Sequence, residues 1–150
     1  MCVFLRKLFD RRSLQKGGLA QARTRYENGT ACPAARSYKN SSCWALIGEE
    51  VIDTEHPTEE YDAIYAELIE RGFKPDEIDE MRTFAWRTLG WMNYEKMLWD
   101  WVDLDEHDIV KALDWQLEEK QINSKKRDQE LLFMKGYLKR DPVLQNLPEE

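Results

Sequence analysis

The chain has little of what a secreted or membrane-spanning protein needs. Its 150 residues include three cysteines, Cys2, Cys32 and Cys43, an odd number that falls within the first 43 positions. These do not make a disulfide framework. Cys32 and Cys43 could pair under oxidising conditions, but free thiols in a reducing cytosol are the expectation, so the chain reads as cytoplasmic. Asn28-Gly29-Thr30 and Asn40-Ser41-Ser42 match the N-glycosylation pattern, yet nothing ahead of them resembles a secretory signal, and both read as chance matches. The longest apolar-rich stretch, Phe84 to Val102, contains Arg87, Glu95, Lys96 and Asp100. A bilayer span would not readily accept those charges.

Motifs that carry chemistry are also missing. There is no Gly-x-Ser-x-Gly elbow, no phosphate-cradling loop and no cysteine signature with a spaced histidine. Histidine occurs twice, at His56 and His107. A di-metal carboxylate bundle would need Glu-x-x-His motifs, but Asp53 precedes His56 and Leu104 precedes His107 at that spacing. Asp103 could share a helix face with His107, and His56 has Asp53, Glu59 and Glu60 nearby. With this many carboxylates such pairs arise by chance. The sequence therefore assigns no catalytic residue, no metal site and no cofactor, and leans away from an enzyme.

What the chain does have is charge, unevenly placed. Residues 1–43 carry nine Lys/Arg against two Asp/Glu, residues 44–119 six against twenty-two, and residues 120–140 seven against two. Charge of this kind bears on association and partner choice rather than on fold. A basic final helix lying beside acidic helices would neutralise part of the charge internally. Six tryptophans, at 44, 86, 91, 99, 101 and 115, all lie in the acidic block. Each large side chain fully buried contributes roughly 1.5–3 kcal/mol, so that block folds, unlike an acidic disordered tail.

Periodicity predicts a single all-α bundle of about four to six helices. Residues 1–42 read as a largely irregular basic arm and residues 43–150 as an acidic helical domain. Within the arm, residues 2–12 form a short amphipathic segment, with Phe4, Leu5, Leu8 and Phe9 on one side and Arg6, Lys7 and Arg11 on the other. It could rest on an anionic membrane surface, dock on a partner or pack on the domain, and a later translation start would remove it. Residues 13–42 show no sustained period and read as a linker or extended arm, with Gly17-Gly18 a flexible pair.

Cys43–Asp53 reads as either a short buried helix capped by Ser41 or Ser42 or a strand, and the spacing of Trp44, Ile47 and Val51 leans towards the helix. The next helix starts with Thr58 as N-cap, carries Tyr61, Ile64, Tyr65, Leu68 and Ile69 along one face, and stops at Gly72 in a Schellman ending. Another begins near Pro75 or Asp76 and runs apolar nearly all round beyond Phe84, with Gly90 dividing it. Asp105 caps a helix whose face is Ile109, Ala112, Leu113, Gln116 and Leu117. The last helix carries Leu131, Met134 and Leu138 and ends at Asp141-Pro142.

The function this suggests is a non-enzymatic protein-binding module, an inhibitor or regulator of a basic, for example nucleic-acid-handling, protein. Most of the tryptophans are core material. An exposed Trp99 or Trp101 among Asp100, Asp103, Asp105, Glu106 and Asp108 would suit a partner that presents basic side chains around an apolar pocket. Direct nucleic-acid binding is disfavoured, because the basic residues are confined to the arm and the last helix. The alternatives are a metal-dependent enzyme using His56 or His107 with neighbouring carboxylates, and a membrane-peripheral adaptor held by residues 2–12. In size and charge the chain resembles small acidic helical inhibitors, such as immunity proteins and antitoxins, a likeness that transfers no residue roles.

Overall fold

The computed structural model describes residues 17–52, 56–96 and 103–145, and every regular element among them is helical. The amphipathic segment expected at 2–12 lies outside the described residues. Helix α1 is Gly18–Glu27, α2 Cys43–Gly48, α3 Thr58–Glu70 and α4 Pro75–Ala85. A π-helical turn, Trp86–Gly90, leads from α4 into α5, Trp91–Glu95. Helices α6, Glu106–Glu118, and α7, Ser124–Arg140, follow, with the short α8, Pro142–Gln145, closing the described chain. Helix α1 packs on α3, α2 on α4, and α6 on both α7 and the π turn. No described helix is long and apolar enough to cross a membrane.

Local sequence accounts for most boundaries. Gly72 takes the left-handed conformation (φ 94°) that ends α3. Phe73 N–H then donates to Leu68 O (3.2 Å) and Gly72 N–H to Ile69 O (3.0 Å), the two bonds of a Schellman motif. Helix α3 begins one residue earlier than expected, with Pro57 rather than Thr58 at the N-cap. Pro75 opens α4, where its missing N–H costs nothing, and Glu77 Oε1 accepts from Lys74 N–H at 3.1 Å. The division expected at Gly90 begins instead at Trp86, as a π turn that ends at Gly90. Widening a helix in this way frees carbonyls from their regular partners, and Gln116 Nε2 donates to Arg87 O at 2.9 Å.

Trp44 is fully buried at the centre of an aromatic group formed with Phe84, Phe133 and Tyr137. Its indole N–H donates to Met134 O at 3.1 Å, joining α2 to α7. Trp91 is buried, while Trp86 and Trp115 lie half-buried against the core.

Two buried carboxylates tie elements that the apolar pattern alone does not connect. Glu50, 6 % exposed, follows α2 and accepts from Leu19 N–H (2.8 Å), Arg82 Nε (2.9 Å to the nearer oxygen) and Trp86 Nε1 (2.9 Å). Asp141, with no exposure, accepts from Cys43 N–H (2.6 Å) and Arg71 (3.2 Å). Arg71 also donates to Ser41 O and Tyr38 O, fixing the segment that leads into α2. Burial beside Asp141 pushes the Cys43 thiol up, so it is an inert core residue.

Residues 18–27 of the expected linker are helical, and Leu19 and Ala22 belong to the common core. Two buried positions make too short a stripe to register as a period, and much of what anchors α1 is polar. Arg25 pairs with buried Asp62 at 2.8 Å, and Arg23 reaches Asp76 (3.2 Å) and Asp79. Gly17-Gly18 is a close-approach site, not simply a flexible pair. A Cβ on Gly17 would lie 2.3 Å from Glu50 Oε1, and one on Gly18 2.4 Å from the Tyr61 ring.

Glu50→Gln should take from the buried Arg82 guanidinium its buried counter-charge, leaving the partly exposed Asp79 carboxylate at 3.2 Å, a change that costs up to about 3–5 kcal/mol. Arg23→Ala, at a partly exposed pair, should cost at most about 1 kcal/mol. Urea unfolding of the two variants beside the wild type checks the contrast.

Candidate functional site

The expected partner surface is partly a structural joint. Trp99, Asp100 and Trp101 lie outside the described residues. Asp105 is the N-cap of α6, its carboxylate accepting from His107 N–H at 2.9 Å, and Asp108 accepts from Asp105 N–H at 3.0 Å in a capping box. Asp108 is buried, and that burial pushes its carboxyl up. Glu106 accepts from Ser42 Oγ at 2.6 Å, and Ser42 Oγ in turn caps α2 by accepting from Ala45 N–H. Asp103 is exposed and makes no ion pair among the described residues. Of the four described acidic residues, three therefore hold α6 in place and the fourth, Asp103, is exposed.

What seats this segment is Gly48. A Cβ there would fall 2.6 Å from Leu104 O, so only glycine lets the chain before α6 lie against the end of α2. Leu104 is itself buried. Its neighbour Asp103 is thereby brought within electrostatic range of Glu49, the residue that follows α2.

Glu49 belongs to a mixed cluster in which His56 stands between two carboxylates. His56 Nε2 lies 2.7 Å from Glu49 Oε2, and Nδ1 lies 3.1 Å from Glu60 Oε2 in the first turn of α3. The Nε2 contact is an ion contact rather than an aligned hydrogen bond. All three side chains are mostly buried, at 18–23 % exposure. Arg36 approaches Glu60 at 3.7 Å, and the His56 ring meets Tyr61 edge-on at 5.5 Å. Burial pushes the Glu49 carboxyl up; His56 and Arg36 pull it down, while Asp103 and Glu60 push it further up. Three carboxylates thus gather around one guanidinium and one imidazole in a half-desolvated setting.

This arrangement does not make an obvious metal site around His56, because its two nitrogens face separate carboxylates on opposite edges of the ring. Among the described residues, the group that gathers closely enough to share a cation is Asp105, Glu106 and His107, with ligand atoms within 4.8 Å of one another. There a cation would compete with the cap to His107 N–H and with the Ser42 bond.

The chain matches no protein-family model, no curated protein and no solved structure.

Sequence reasoning placed Glu60 beside His56 but missed Glu49, which sits seven residues before His56 and on a different element. Its signal was faint: the acidic pair Glu49-Glu50 at the end of an otherwise apolar segment, one residue turned into the core and the other towards the surface.

Asp105→Ala should cost about 1 kcal/mol through loss of the α6 cap. Asp103→Asn should change stability by less than about 0.5 kcal/mol. Chemical denaturation of the two single variants separates the structural acid from the exposed one.

Proposed function

We propose that this protein is a non-enzymatic binding module that regulates a basic protein partner, and that the partner docks on the face formed by Glu49, Glu60 and Asp103. The supporting observation is the carboxylate surplus around Glu49, where partial burial makes each uncompensated charge costly. A guanidinium or ammonium group from a partner would supply the missing counter-charge. Opposite fields would also speed encounter and make binding sensitive to salt.

The pairing of basic residues elsewhere supports the same choice of partner. Arg23, Arg25, Arg127 and Arg140 engage Asp79, Asp62, Asp114 and Glu77. Arginines engaged in this way are poor candidates for gripping a phosphate backbone. The same pairings join the basic final helix to the acidic helices before it. A reducing cytosol is the compartment proposed, in keeping with Cys32 and Cys43 as free thiols.

The test is affinity capture with the whole chain as bait, because Leu19 and Ala22 belong to the core and a truncated bait would lose them. A basic protein retained at low salt and released at high salt is expected. The double variant Glu49→Gln/Asp103→Asn should bind that protein about tenfold more weakly, a change of ~1.4 kcal/mol, with a flatter salt dependence. Unchanged affinity in the double variant removes the assignment of this face.

A further inference from the structure

We propose that the groove between residues 33–40 and the outer side of α3 is a peptide-binding site, taking an extended segment that presents a carboxylate to Lys39 and a cation to Glu70. This is a different surface from the Glu49 face, and the proposal stands whether or not that face docks a partner.

Two cavities adjoin here. One, of about 370 Å³, is walled by residues 33–39 on one side and by Ala63, Ala66, Glu67 and Glu70 of α3 on the other. The second, of about 620 Å³, runs from Lys39 and Asn40 past Arg71 to Pro142 and Val143 at the start of α8. Lys39, Glu67 and Glu70 line both, so the two form one groove. Cavities of this size are typical of ligand sites. From Ala63 to Glu70 the α3 wall alone rises about 10 Å, which suits a long, narrow ligand better than a compact one.

The wall opposite α3 is fixed before anything binds. Cys32 N–H donates to Asp62 (3.0 Å), Ala34 N–H to Glu59 O (2.9 Å), and Tyr38 O accepts from Arg71 at 2.9 Å. Arg71 is itself held by Glu67 and Asp141. Between these anchors the N–H groups of Ala35, Arg36 and Ser37 make no hydrogen bond among the described residues. An extended peptide binds by pairing its main chain with free main-chain groups of this kind, and where those groups are already held in place little ordering opposes the pairing.

Charge selects the occupant. Lys39 and Glu70 are both exposed, both line the two cavities, and neither makes an ion pair among the described residues. Glu67, by contrast, is engaged by Arg71, and Arg36 lies near Glu60. The groove therefore offers one free cation on the 33–40 side and one free anion on α3. A ligand of a single charge sign would satisfy one of them and face a like charge in the other, whereas a peptide carrying both signs answers both.

The experiment uses the whole chain and a series of capped peptides that carry one Glu and one Lys, with the number of alanines between them varied. NMR titration should shift the amide signals of Ala35, Arg36 and Ser37 together with those of Ala63 to Glu70. Lys39→Gln and Glu70→Gln, made at exposed side chains without partners, should keep wild-type stability and each weaken the best peptide about fivefold. The same peptide N-methylated along its main chain should also bind about fivefold more weakly. No binding at any spacing, or shifts confined to another surface, overturns the site. Affinity unchanged in both variants overturns the charge assignment, and affinity unchanged by N-methylation overturns the main-chain docking.

Discussion

Glu50 and Arg82 form a buried ion pair on which the arrangement of four elements depends. The carboxylate collects Leu19 N–H from α1, the guanidinium from α4 and the Trp86 indole from the π turn, and it is itself delivered by the end of α2. A buried pair of this kind returns little net stability when the desolvation of both charges is counted. Its effect is to make alternatives expensive, since any packing that separates the partners leaves a charge in the core. Apolar contacts tolerate sliding by a fraction of a turn, whereas a carboxylate saturated by these donors does not. The close fit of Gly17 against the same carboxylate shows how little room the joint allows.

The uneven charge of the chain takes on a different meaning once these contacts are counted. In sequence, the charge runs as a basic arm, an acidic block and a basic last helix, the last expected to neutralise part of the acid internally. In the fold, α1 lays Arg23 and Arg25 on acids of α3 and α4, and α7 lays Arg127 and Arg140 on Asp114 and Glu77. Arg140 holds the Glu77 carboxyl down at about 2, chiefly through its hydrogen bond. Much of the charge is therefore internal, and what remains unneutralised is not revealed by a count along the chain.

How far the fold was legible follows from the range of the interactions involved. The end of α3 at Gly72 and the start of α6 at Asp105 depend on residues within one helical turn, and both are plain in the sequence. Helix α1 was missed because its buried stripe is two residues long and its arginines answer acids more than thirty positions away. The π turn was read as a break at Gly90, since the residue that accommodates its widened backbone, Gln116, lies in another helix. The candidate site was half legible. His56 and Glu60 are one turn apart in sequence, while Glu49 joins them from the end of α2 and Asp103 approaches where Gly48 admits the Leu104 carbonyl.

The acids first assigned to recognition also show why capping and recognition compete for the same residues. Aspartates are favoured at a helix start because their carboxylates satisfy exposed N–H groups, and a run such as Asp103 to Asp108 offers several at once. Those that succeed, Asp105 and Asp108, have their oxygens turned inward and their charge partly answered by the helix dipole. In the docking proposed above, a partner's cation would gain least from them. It would gain most from carboxylates that the fold has half-buried, and among the described residues around this joint those are Glu49 and Glu60, which flank the His56 ring. On that proposal an acidic surface selects where burial leaves a charge deficit rather than where acids are most numerous, and here the contact at Gly48 brings Asp103 to bear on the half-buried Glu49.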